Sequence, residues 1–153
     1  MGLDMYLNKK IYIKKWNHYP KEETFDINLT LGGNPYPLKC PKYVIDEIMY
    51  WRKANHIHQW FVKNVQKGKD DCREAYVSGE ELLQLLDVCR RVAKSLENGF
   101  DDTSLAIELL PPCDGFFFGG TEINEYYLED INNTISVLES LSVDGDFYYS
   151  SSW

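Results

Sequence analysis

The chain has 153 residues, 44% hydrophobic, 26% charged and 14% aromatic, with a formal net charge of −8; this suits one globular domain spanning residues 1–153 with a real core. The charge is uneven, since residues 1–70 carry twelve Lys or Arg against seven Asp or Glu, and residues 71–153 carry four against seventeen. No net-basic unit exists beyond the Lys9–Lys15 cluster, which argues against direct DNA binding, and no apolar run approaches the ~18 residues of a membrane span.

The opening "MGLDMYLNKK" lacks the charged and apolar regions of a signal peptide. Cys40, Cys72, Cys89 and Cys113 are unevenly spaced with no Cys-x-x-Cys pair, so reduced thiols in a cytoplasm are expected. "MYLNKKIYIKKW" places Ile11 and Ile13 on one side and Tyr12 and Lys14 on the other, the pattern of a half-buried strand. "TFDINLTL" alternates cleanly through Phe25, Ile27, Leu29 and Leu31 until "GGNPYP" stops it. The two strands are expected to pair antiparallel across the loop "NHYPKEE".

Pro41 suits a helix start, and residues 42–66 read as helical. Their apolar face changes side, however. Counted at 100° per residue from Trp51, Val44, Ile45, Ile48 and Met49 fall between about 20° and 160°, and Ala54, Ile57, Phe61 and Val65 between about 240° and 320°. Two helices with a break, or one helix buried on different sides, both fit. "REAYVS" reads as a short strand. Ser78 with Glu81 forms a capping box before a stripe of Leu82, Leu85, Leu86, Cys89, Val92 and Leu96, closed by Asn98-Gly99. "LAIELL" suggests a helical turn, "GFFFGG" a buried strand, Thr121–Ser142 a further helix, and "DFYYSSSW" a returning strand. The order predicts an α+β domain, a mainly antiparallel sheet packed with three to four helices.

Candidate chemistry gathers in "YWRKANHIHQW", residues 50–60. Two residues apart on a helix, His56 and His58 point away from each other and cannot share one metal ion. The phase count puts His58 inside, with Phe61, and His56 outside, with Gln59 and Lys63. An interior His58 is a core histidine bonded to a carbonyl or carboxylate, an acid or base in proton transfer, or a metal ligand with Cys72 or Cys40. Arg52 and Lys53 beside Tyr50 and Trp51 suit a nucleotide or another anion, with Asn55 adding donors and an acceptor, or else a salt bridge to the acidic half. "FFFGGTEINEYY" offers free N–H groups at a helix start, but Glu122 and Glu125 oppose an anion there. Glu129-Asp130 reads as solvated charge or a cation site. Trp153 reads as a lid on the core or the wall of a pocket. No phosphate-loop, dinucleotide or hydrolase motif occurs, so no cofactor or metal is expected. The charge asymmetry has three readings: solvated faces, attraction between the halves within or between subunits, and imitation of nucleic acid.

Four stretches taken together, "MGLDMYL", "YWRKAN-x-x-H-x-WFV", "GFFFGGTE…EYY" and "YYSSSW", give the chain a likeness over nearly its whole length. It resembles a group of small, largely uncharacterised proteins encoded in bacteriophage and prophage genomes. The resemblance implies action in the cytoplasm of a bacterial host, and it matches His58 rather than His56. By analogy with small acidic phage proteins, the first expectation is an accessory binding protein for a host protein or a small anionic, nucleotide-like ligand. The candidate ligand-binding residues are Trp51, Arg52, Lys53, Asn55, His58 and Trp153. The alternatives are a small enzyme on a nucleotide-like substrate, with His58 as acid or base and Arg52 holding the anion, and a virion or assembly component. A homodimer is compatible with all three.

Overall fold

The structure, a computed structural model, describes residues 2–153. In chain order the elements are β1 (Asp4–Tyr12), β2 (Leu29–Leu31), β3 (Asn34–Tyr36), β4 (Tyr43–Arg52), α1 (Asn55–Asn64), β5 (Ala75–Val77), α2 (Gly79–Ser95), α3 (Ser104–Leu109), α4 (Glu125–Ser140) and β6 (Asp146–Ser152). The main sheet runs β4-β1-β6-β5, every neighbouring pair antiparallel, and β2–β3 is a separate two-stranded ribbon. This is the α+β architecture expected from the order of patterns.

Alternation along the strands sorts the two faces. Met5, Leu7, Met49, Trp51, Val77, Phe147 and Tyr149 point to the core and are buried together with the apolar stripes of the helices. Tyr6, Tyr50, Tyr76 and Tyr148 take the intervening positions on the outer face. The Ser78–Glu81 capping box forms in full, and all six predicted residues of the α2 stripe are buried. Fully burying such a Leu is worth roughly 1.5–3 kcal/mol, so this stripe, rather than intrinsic propensity, holds α2 in place. α4 starts later than expected because the Asn124 side chain accepts hydrogen bonds from the N–H groups of Tyr126 and Tyr127, making it the cap.

Three expectations are corrected. Residues 43–52 are strand, not helix. The pairing slips between Leu7 and Asn8, where Leu7 faces Met49 but Asn8 faces Glu47, so Ile48 is an extra residue in a β-bulge. Val44 and Ile45, which gave the helix-like spacing with Ile48 and Met49, are exposed on the strand before the bulge and mark no buried helix face. The apparent phase break is the passage from β4 into α1. The second correction concerns "TFDINLTL". It does not pair with β1, whose partners are β4 and β6; only Leu29–Leu31 is strand, paired with Asn34–Tyr36. Finally, "GFFFGG" is a loop with Phe116 and Phe117 exposed and Phe118 buried. Phe117 at φ 59° and Gly119 at φ 92° are left-handed and incompatible with a strand.

Among the described residues one ion pair, Lys10–Glu74 at 2.6 Å, joins the basic and acidic halves. Close ion pairs between the halves therefore account for little of the asymmetry within one chain. No helix among them is long and apolar enough to cross a membrane.

Candidate functional site

The junction between β4 and α1 sets the site. Arg52 ends the strand on its outer face. Lys53 follows in the left-handed conformation at φ 59°, and its carbonyl accepts the Asn55 N–H at 2.9 Å. One residue thus turns a strand into a helix, at about 1–2 kcal/mol for a side chain in that region. The Lys53 N–H is anchored on the Leu3 carbonyl at 2.7 Å. Its stem lies on Gly119, where any added Cβ would meet the Lys53 Cβ at 3.1 Å.

Asn55 is consumed by the fold. Its Nδ2 donates to the carbonyls of Phe118 (3.1 Å) and Gly120 (2.8 Å), and its Oδ1 accepts the Cys113 N–H (3.0 Å). With 2% exposure it clamps the 113–120 loop to the start of α1. It shapes the site without offering donors to a ligand.

Beside this clamp lies a cleft of about 470 Å³. Its lining includes Arg52, Lys53 and His56, the glycines Gly119 and Gly120, and Glu122, Tyr126, Glu129 and Asp130. His56, expected outside, is 4% exposed, its ring 4.1 Å from that of Tyr127. Its Nε2 has no hydrogen-bond partner, and burial pushes its pKa down to about 3, so the imidazole is neutral at pH 7. Asp130 moves the other way: burial, then the neighbouring Glu129, raises it to about 6. It is therefore not ordinary solvated charge. No carboxylate lies within 4 Å of the Arg52 or Lys53 nitrogens among the described residues, so the salt bridge to the acidic half does not form.

On the other side of α1, His58 is fully enclosed. Its Nε2 lies 2.9 Å from Asp70 Oδ2 and its Nδ1 2.7 Å from the Tyr149 hydroxyl. The carboxylate only accepts, so Nε2 donates to Asp70; in the neutral ring Nδ1 then accepts from the Tyr149 O–H. Asp70 Oδ1 in turn accepts the Trp153 Nε1–H at 3.1 Å. With both ring nitrogens used, His58 has none left for Cys72 or Cys40, and no path to a substrate in this conformation. Among the described residues no group of three His, Cys, Asp or Glu is placed to hold a metal ion.

Of the six candidate ligand residues, Arg52 and Lys53 reach the cleft with free cationic ends. Asn55 lines it but is spent on backbone. Trp51 is 3% exposed, donating from Nε1 to Thr134 Oγ1 at 2.8 Å. His58 is in the core, and Trp153 packs near Phe118 and Asp70, outside the cleft. Sequence reading missed His56, Tyr126 and Asp130. Asp130 was findable: it lies three residues after Tyr127 and four before Thr134, at the margin of the buried stripe of α4. His56 was not, because α1 is buried almost all round and has no clear outer face against which a phase can be read. No protein-family model, no curated protein and no solved structure compared with this chain matches it.

Proposed function

We propose that the chain is a phage-encoded accessory binding protein, acting inside the bacterial host, that holds a small anionic, nucleotide-like ligand in the His56 cleft. The observation carrying this reading is the pair Arg52 and Lys53, two adjacent cations with no carboxylate within ion-pair distance, fixed by a strained turn. Strain of this kind persists where the surroundings enforce it, and it gathers at sites of function. A phosphate suits the two cations. An exocyclic amine on a base suits Glu129 and Asp130 in the same cleft, the 77% exposed Tyr126 ring offers a stacking face, and the neutral His56 has an unpartnered Nε2. The enzyme alternative drew its acid or base from His58, which is sealed.

Native mass spectrometry of protein purified from bacterial cells, followed by calorimetric titration with mononucleotides, tests this reading. A retained nucleotide-like mass, and binding abolished by Arg52→Ala with melting temperature unchanged, is the expected result. A bare mass together with no heat and no thermal shift from any mononucleotide overturns it.

A further inference from the structure

Between β1 and β4 the chain leaves the domain as an arm. Residues 14–42 contain no buried residue, although Ile13 at their root is 4% exposed and its N–H closes the neck on the Lys42 carbonyl at 3.0 Å. The arm nevertheless carries Trp16, Phe25, Leu29, Leu31, Tyr36 and Leu38, each between 39% and 69% exposed. The pattern is ordered. Leu29 faces Tyr36 across the ribbon and Leu31 follows two residues on, so these three side chains share one face. A ribbon of two three-residue strands has no core of its own, and an apolar patch of this kind marks a contact surface. The same segment has five Lys against three acidic residues, with one ion pair, Lys14–Glu23, inside it.

The complementary surface is on the same chain. Between α1 and α2 lies a groove of about 520 Å³, with Trp60, Leu83 and Val88 as its apolar part and Glu80 and Asp87 as its carboxylates. Leu83 is 50% exposed, Glu80 has no ion-pair partner among the described residues, and Asp87 has only Arg91 at 4.0 Å. Within one chain both the ribbon face and the groove are left open. We infer that the occupant of the groove is the arm of a second copy: Leu29, Leu31 and Tyr36 cover Leu83 and Val88, and the lysines flanking the ribbon meet Glu80 and Asp87. Two copies exchanging arms satisfy both grooves and close the assembly on a two-fold axis, the commonest symmetry of soluble oligomers. Charge complementarity selects this occupant over an acidic or uncharged host protein, since the missing negative charge is already present beside an apolar floor. The inference does not depend on the His56 cleft.

Sedimentation equilibrium of the full chain, repeated for Leu31→Asp and for the double variant Leu83→Lys/Asp87→Lys, decides the matter. Both sets of side chains are exposed, and far-UV circular dichroism checks that each variant remains folded. The wild type is expected to be a dimer, and each variant to dissociate at least about tenfold more readily. An equimolar mixture of the two variants should regain mixed dimers, because one arm and one groove in the pair remain intact. A wild type that stays monomeric at about 100 µM, or a dimer that neither variant weakens, overturns the proposal.

Discussion

Two histidines two positions apart in the chain live under opposite rules. His58, facing one side of α1, has both nitrogens bonded and joins Tyr149, Asp70 and Trp153 into one chain of hydrogen bonds. His56, facing the other, is nearly as buried but has an unpartnered Nε2 and a ring resting on Tyr127. Burial alone therefore does not tell a hydrogen-bonded imidazole from one left with an unpartnered nitrogen. The difference is whether its polar atoms are already satisfied, because an unpaired buried group carries the full cost of its lost hydration.

The comparison breaks most visibly at His58. His58→Ala removes two buried bonds, orphans the Tyr149 hydroxyl and opens a cavity, so stability should fall by about 3 kcal/mol in urea unfolding, lowering the melting temperature by about 10 °C. A loss below ~1 kcal/mol would mean that the bonded chain is not what holds α1 to β6. Next in size is Asn55→Ala, which frees the 113–120 loop from three bonds and should cost about 2 kcal/mol. Hydrogen exchange should then quicken at the Cys113 N–H, and binding should weaken through the cleft's shape.

His56→Phe should act with the opposite sign. Replacing an unpartnered polar ring by an apolar one should stabilise the protein by about 1 kcal/mol at pH 7 while abolishing ligand binding. The gap should also depend on pH. The folded-state value of about 3 lies below the ordinary histidine value, so under about pH 6.5 the unfolded chain takes up a proton that the folded chain does not. Wild-type stability drains as pH falls from there towards 3, at a limiting slope of about 1.4 kcal/mol per pH unit, and the variant escapes that loss. Asp130 works the other way. Its raised value, about 6, adds stability that is complete below the ordinary carboxylate range and lost as pH rises through 6. Both proteins keep it, so the difference between them isolates His56. A gap that stays constant from pH 7 to pH 4.5 would show His56 reaching solvent when protonated.

The smallest effect is expected at Lys53→Gly. Glycine relieves the left-handed backbone and should offset its own entropic cost, leaving stability unchanged or raised by up to about 1 kcal/mol while ligand affinity drops. If affinity survives, the cation at that turn is not a ligand group.

How far the sequence carried these assignments follows from which physical signal each one used. The α2 helix was readable because its cap and its stripe are both local and agree. His58 was placed inside correctly, though from a helix counted through residues that are strand: Ile57 and Phe61, in the true helix, kept the phase. His56 went wrong by the same count, since the buried surface of a ten-residue helix reaches almost all round it and leaves no outer face to assign. Arg52 and Lys53 were legible as cations beside aromatics. Their freedom from ion pairs was not, because it depends on where α4 sets Glu129 and Asp130. The tie from Asn55 to the 113–120 loop spans some sixty residues of sequence and left no local mark.

The bulge at Ile48 has a further consequence for how the protein behaves in a crowded solution. β4 is one of the two edge strands of the main sheet, and at ten residues it is long for an edge. A straight edge of that length is a template on which strands of other molecules add without limit. Here the extra residue bends the strand, and Asp46 and Glu47 place two negative charges beside the bend. Fibre growth by edge-to-edge stacking is discouraged by this bend and the charges beside it.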